Sequence, residues 1–292
     1  MFNNIISSGA YLGLLAMLGW GFSDFIAALV SRKAGSYLSF FWVMVWSFLV
    51  LICYFFFTGQ RASLDLNIIV LSGLAGLLHA GAGLSFYKSL EIGKVSLVSP
   101  IASAWSVITV LGGVIFFHEE FQKGYILPLI LIIFGTLLVA TNPKEIFSSW
   151  KSLFSDKGIP YAVLAMFGYG FGFLILNQAI KINGWLIPNL LLFAVVSCVM
   201  GLVLFATKTL VFSESQKGFW MQTMAAGLLW AIAYIGYSIG IESFSASIIA
   251  PLGAAFPAVT IVLATIFLKE KVKSWHAVGI ISILLGVAML ST

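Results

Sequence analysis

The sequence predicts an all-α membrane protein, with ten transmembrane helices arranged as two inverted five-helix repeats. Three observations carry that expectation. Of 292 residues, 61% are hydrophobic and 9% charged, against roughly 25% charged in a typical soluble domain, so water cannot be the principal solvent. Apolar runs recur along the whole chain, and about 20 residues at 1.5 Å each suffice to cross a hydrocarbon layer of about 30 Å. The second half of the chain also repeats the first at offsets of 149 and 151 residues, the signature of a duplicated unit.

Segments 1 to 5 cover residues 9–30, 37–58, 67–90, 95–117 and 124–141, and segments 6 to 10 cover 159–180, 185–207, 219–240, 245–268 and 275–291. Segment 1 has no basic stretch before it and is too long for the apolar core of a signal peptide, so it is read as a mature helix. Residues 142–158 (NPKEIFSSWKSLFSDKG) hold Pro, Ser, Gly and five charges, and are taken as the link between domains 1–141 and 159–292. No stretch alternates in the manner of a β-barrel strand. Cys53 and Cys198 fall in segments 2 and 7; they have neither disulfide nor metal-ligand spacing and are expected to be small packing residues. Dinucleotide, phosphate-loop, zinc-protease and nucleophile-elbow motifs are missing, so no cofactor and no metal are expected. The pI near 9.2 does not point to nucleic acid, because the basic residues are scattered over the loops rather than gathered in a patch.

The repeat is legible in four places. "LLAMLGWGF" (14–22) falls on "VLAMFGYGF" (163–171), and "SLEIGKVSLVSPIASAWSVITV" (89–110) on "GIESFSASIIAPLGAAFPAVTI" (240–261). "FFHEE" (116–120) falls on "FLKEK" (267–271), and "IIFGTLLVAT" (132–141) on "ILLGVAMLST" (283–292). Five is odd, so a second copy that crosses once per helix must lie upside down relative to the first. Charge tests this independently, since Lys and Arg favour cytoplasmic loops. Twelve of the fifteen, Arg32 and Lys33 through Lys273, follow odd-numbered segments, and only Arg61, Lys123 and Lys181 lie on the other side. Both termini are therefore expected outside the cytoplasm of a bacterial inner membrane. Inverted repeats of this kind are typical of secondary transporters.

The WG or YG pair in each first helix, the small-residue and proline fourth helix, and the acid just after it (Glu119, Glu270) resemble the EamA branch of the drug/metabolite transporter superfamily. The resemblance covers nearly the whole chain. It implies a ten-helix basket with a cavity lined by helices 1, 3, 4, 6, 8 and 9, helices 5 and 10 being peripheral. It also implies transport of a small metabolite, without naming which. Glu119 and Glu270, with Lys123, Lys269 and Lys271 nearby, are expected to form interfacial ion pairs.

Candidate binding residues follow from what a lipid solvent penalises. Asp24 lies about five residues past the middle of segment 1, roughly 7 Å off the midplane, where a carboxylate costs about 2.5 to 3.5 kcal/mol on insertion scales. It should face protein or water, to bind cargo or a proton, or else pair with a neighbour. His79, in the middle of segment 3, is the second candidate for proton coupling or cargo contact, or is simply held by a carbonyl. Its repeat equivalent is Trp230, which forms one helical face with Tyr234 and Tyr237; tyrosine hydroxyls need partners and so turn inward. Trp20 lies one turn before Asp24, and the equivalents of this pair are Tyr169 and Phe173. Asn177, two turns beyond Tyr169, and Trp105 complete the substrate-binding set. Pro100, Pro251 and Pro257 are candidate hinges, since proline removes a backbone donor and kinks a helix. Gly9 with Gly13 and Gly236 with Gly240 are expected to permit close helix contact.

The expected activity is alternating-access transport of a small amphipathic metabolite, with export of an amino acid or related compound in exchange for protons as the leading reading. Uptake or exchange of a sugar, nucleotide or cationic drug is the alternative. A membrane enzyme would need paired carboxylates or a nucleophile with its base, and a scaffold would not need the polar set. The expected partners are a small-molecule substrate and membrane lipid, in a monomer or weak homo-oligomer.

Overall fold

A chain in lipid must satisfy its backbone polar groups internally, which leaves the helix as the economical solution for apolar runs such as these. The computed structural model describes residues 2–59, 64–119, 123–140, 156–209, 218–270 and 274–290. Among these every regular element is helical: α1 (Phe2–Ala34), α2 (Ser36–Thr58), α3 (Leu66–Ile92), α4 (Val95–Ser103), α5 (Trp105–Phe117), α6 (Ile126–Ala140), α7 (Ile159–Asn183), α8 (Leu186–Thr207), α9 (Phe219–Ser243), α10 (Ala246–Ala254), α11 (Pro257–Phe267) and α12 (Ser274–Leu290). Among the described residues eight stretches are long and apolar enough to cross a membrane, against the ten expected: Tyr11–Ala34, α2, α3, Val95–Phe117, α7, α8, α9 and Ala246–Phe267. Nearly all of the link 142–158, together with Arg61, Lys144, Lys151, Lys217, Lys271, Lys273 and Thr292, lies outside the described residues.

Two differences from the sequence reading concern helix ends. The first helix continues to Ala34, so Asp24 lies near the middle of the span Tyr11–Ala34 rather than toward one end. Arg32 holds that last turn by donating to the carbonyls of Leu90 (3.3 Å) and Gly93 (3.0 Å). Segments 4 and 9, expected as single kinked helices, are each split in two. Pro100 sits in α4 and Pro251 in α10, each four residues before the break that begins at Ala104 and at Ala255. There the chain tightens into bonds three residues apart, from Ala104 to Ile101 and from Ala255 to Leu252. The Pro100 carbonyl accepts from Ser103 Oγ at 2.8 Å, so a local hydroxyl takes it up. Pro257 starts α11, where its missing N–H is one that no helix would use.

Packing is reciprocal between the halves. α1 lies on α9 and α3 on α7, α2 meets α8, α6 meets α12, and the α4–α5 pair meets the α10–α11 pair. Crossing directions follow from the residues in contact. The backbone of α1 meets α9 at Leu12 beside Gly236 and at Gly19 beside Leu229 and Ala233, and Ser23 Oγ donates to the Ala226 carbonyl at 2.9 Å. Rising numbers on α1 thus meet falling numbers on α9, and the pair is antiparallel. α3 and α7 are antiparallel too, with Ala82 beside Gly168 and His79 beside Gly172. Within each half the odd helices end together: Glu91, ending α3, accepts from Ser36 N at 3.0 Å, and Glu242, ending α9, accepts from Trp185 N at 3.2 Å.

Glycines set how closely these helices approach. A Cβ on Gly19 would stand 2.8 Å from the Cβ of Ala233, and one on Gly21 would stand 2.5 Å from that of Val259. Their equivalents behave alike: Gly168 against Ala82 (2.8 Å) and Gly170 against Ile108 (2.6 Å). The expected contacts at Gly13 (Leu252, 2.6 Å) and Gly236 (Leu15, 3.1 Å) are also close. A hydroxyl bond seals each crossing, Thr260 Oγ1 to the Gly21 carbonyl (3.2 Å) and Thr109 Oγ1 to that of Gly170 (3.0 Å). The outward faces of α2 and α8 carry exposed Phe56, Phe57, Leu202 and Phe205. Cys53 and Cys198 lie on these exposed faces as well, so they are not the packing residues expected from sequence. A small apolar thiol suits a lipid-facing surface equally well.

Candidate functional site

The two glycine-flanked aromatics show what the WG and YG pairs do. In "GWG" one glycine seats α1 on α9 and the other seats it on α11, so Trp20 between them is driven to the centre; in "GYG" the same pair of contacts drives Tyr169 inward from α7. The helix breaks add Trp105 at the start of α5 and its equivalent Phe256, just before α11. With Asp24, Phe86, Ala102, Phe173, Trp230 and Tyr234 they line one hollow between the two halves, with about 20 Å³ of free space, room for about one water.

The rings interlock. Trp105 stacks on Phe173 at 4.2 Å between centroids, and Phe173 stacks on Tyr234 at 5.6 Å. Trp20 stands edge-on to Tyr234 (5.4 Å), Phe173 (5.7 Å) and Trp105 (6.1 Å). Asp24 is 1% exposed, and among the described residues it has no ion-pair partner. Its Oδ1 accepts no hydrogen bond, and Trp20 Nε1, Trp230 Nε1, Tyr169 OH and Tyr87 OH are buried without a protein partner. The hollow therefore presents one carboxylate and several free donors, set in aromatic walls.

Of the residues expected from sequence, Trp20, Asp24, Trp105, Tyr169, Trp230 and Tyr234 line the hollow. His79, Asn177 and Tyr237 stand behind it. His79 Nδ1 lies 2.8 Å from the Ala75 carbonyl of its own helix, and since a carbonyl only accepts, Nδ1 carries the proton. Its ring packs edge-on against Phe173 at 4.7 Å, which screens it from the hollow, and its Nε2 has no protein partner. Tyr237 OH donates to Asn177 Oδ1 at 3.1 Å, so these two partly satisfy each other. Phe86, Ala102, Phe173 and Phe256 were outside the expected set. The repeat offset points to three of them, because Phe173 is the equivalent of Asp24, Phe256 of Trp105 and Phe86 of Tyr237; Ala102 carries no such signal. A larger hollow of about 270 Å³ between α5, α6 and Pro251 has almost wholly apolar walls and no charged residue, so it lacks the chemistry to orient a polar ligand.

Two carboxylates close the bundle at opposite ends. Glu270 Oε1 and Oε2 accept from Val95 N (3.3 Å) and Ser96 N (3.1 Å) at the start of α4, and Arg32 Nη2 stands 3.5 Å away. Glu119 meets Lys181 Nζ at 2.6 Å. These bridges are repeat equivalents, Arg32 falling on Lys181 and Glu119 on Glu270, and each joins the two halves. The ion pairing expected for both acids is present, but the partners are Arg32 and Lys181 rather than Lys123 and Lys269. The ends differ in one respect: Glu119 Oε2 is buried without a partner, whereas both Glu270 oxygens are engaged. Among the described residues no group of three or more His, Cys, Asp and Glu could hold a metal ion.

A solved crystal structure superimposes with a TM-score of 0.73 over 97% of this chain and 96% of its own, at 17% identity, a likeness of fold. An uncharacterised protein of Methanocaldococcus jannaschii is 27% identical over 133 residues, 45% of this chain and 95% of that protein, which is therefore about as long as one repeat. The family model for EamA-like transporters matches twice, over residues 7–141 and 156–292. This multi-span membrane protein thus belongs to the EamA-like transporter family.

Proposed function

We propose that the protein is a secondary transporter that exports a small amphipathic metabolite bearing an amino group across a bacterial inner membrane by alternating access. The observation that carries this reading is Asp24: a buried carboxylate with no counter-charge among the described residues, facing a hollow between the two halves. Uncompensated charge in a membrane interior is expensive, and its retention there marks a binding or relay site. In this reading α6 and α12 are the ninth and tenth spans and domains 1–141 and 159–292 are inverted repeats. The antiparallel pairing of α1 with α9 and of α3 with α7 supports it, as do the equivalent bridges at the two ends, which can open in turn. Basic residues Arg32, Lys88, Lys94 and Lys269 gather at the Glu270 end, which favours that end as cytoplasmic and both termini as external.

A carboxylate that crosses an apolar constriction must be neutralised by a proton or by bound cargo, so Asp24 couples export to proton uptake. Around it the titratable groups are the hydroxyls of Tyr87, Tyr169 and Tyr234, from α3, α7 and α9, and His79 behind Phe173 is the second relay candidate. The test is flux in proteoliposomes across a panel of amino acids and amines under an imposed pH gradient. Gradient-driven transport is expected in the wild type and lost in Asp24→Asn. Transport unchanged in both rate and pH dependence removes Asp24 from this role.

A further inference from the structure

We infer that the hollow selects a singly charged organic cation, an ammonium group on an apolar and preferably aromatic body, over the zwitterionic amino acid of the same shape. This deepens the carrier reading and rests on it. The argument begins with charge balance. Among the described residues Asp24 is the sole charged side chain lining the hollow, and no lysine or arginine lines it. Arg32, two turns further along α1, is committed to two carbonyls and to Glu270. A ligand carboxylate or phosphate would therefore enter an apolar enclosure without a counter-charge, the situation that burial penalises most. A second ammonium, as in a diamine, would lack a partner for the same reason.

The walls point the same way. Trp20, Trp230, Tyr169 and Tyr234 present aromatic faces and edges around the carboxylate, and aromatic faces attract cations, most strongly when desolvated. The Trp105–Phe173 stack at 4.2 Å is the slot that parts to admit an aryl body, which trades one stacked ring for another. The free donors, Trp20 Nε1, Trp230 Nε1 and Tyr169 OH, can bond a hydroxyl or ether on that body, but as neutral dipoles they do not supply the positive charge that a carboxylate requires. The ligand's ammonium thus lies against Asp24, and its body lies toward Trp105.

Three compounds with one aryl body and three charges test this on the purified full-length protein: 2-phenylethylamine, phenylalanine and 3-phenylpropionate. Calorimetric titration is expected to rank the amine at least about tenfold tighter than the amino acid, with no detectable binding of the acid. Asp24→Asn should remove the preference, leaving amine and amino acid within about twofold, and Asp24→Glu should retain it. Because the ranking is read on the wild type, it does not depend on either variant folding. Phenylalanine binding as tightly as the amine, or none of the three binding, overturns the inference. Flux of phenylalanine in proteoliposomes in the first case leaves the carrier reading standing, whereas absence of flux for every amine and amino acid tested removes both.

Discussion

Replacing Glu270 with Gln should unlatch one end of the bundle and leave the other shut. In the wild type both carboxylate oxygens accept backbone N–H groups at the start of α4, and Arg32 is 3.5 Å away. Hydrogen bonds to a charged acceptor are worth about 1.5 to 3 kcal/mol and neutral ones about 0.5 to 1.5. An amide offers one acceptor oxygen and no charge, so two charged bonds become a single neutral one. With up to about 1 kcal/mol for the partly exposed ion pair, a conservative loss is about 2 to 3 kcal/mol, roughly 30- to 150-fold in the closed-to-open ratio. The assay is thiol labelling of Ala102→Cys, which lines the hollow, with Cys53 and Cys198 replaced by Ser and a membrane-impermeant maleimide applied to vesicles of each orientation. Labelling from the Arg32 side should rise by that factor in Glu270→Gln, and labelling from the Lys181 side should not. An unchanged rate, or an equal rise from both sides, would falsify the latch.

Other expectations are more local. Gly21→Ala places a methyl 2.5 Å from the Val259 Cβ and should cost about 1 to 3 kcal/mol by overpacking, read as reduced thermal stability in detergent; Val259→Gly, which removes that Cβ, should make the double variant lose less than the two single losses together, and additive losses would show that the contact is not the cause. Thr260→Val leaves the Gly21 carbonyl without its cross-helix donor and should cost about 1 kcal/mol; Thr109→Val at the equivalent crossing should cost the same, and a marked inequality would count against repeat equivalence. A reporter fused after Thr292 should be active outside the cytoplasm, and cytoplasmic activity would overturn the proposed orientation.

Helix positions were legible because a run of about 20 apolar residues between charged or Gly-rich loops has one cheap conformation in lipid. The duplication made more legible than a single repeat allows: Glu119 predicts Glu270, and Trp105 points to Phe256. Asp24 could be singled out because a charge in such a run needs a local reason. The breaks at Ala104 and Ala255 were less legible, since a proline in a membrane helix kinks it or ends it depending on what bonds the freed carbonyls. His79 looked equivalent to Asp24 by composition, yet its own helix supplies the Ala75 carbonyl and Phe173 covers it.

The sequence by itself therefore determined the solvent, the helical class, the duplication and the one acid that lipid would not tolerate, because each follows from composition or from order along the chain. Tertiary structure alone decided which side chains meet. Gly19 on Ala233 and Gly21 on Val259 bring α1 close enough for Trp20 to reach the centre, and no local rule states that distance. The partner of Arg32 is Glu270, 238 positions further along the chain, because an ion pair depends on separation in space while a sequence records only separation along the backbone.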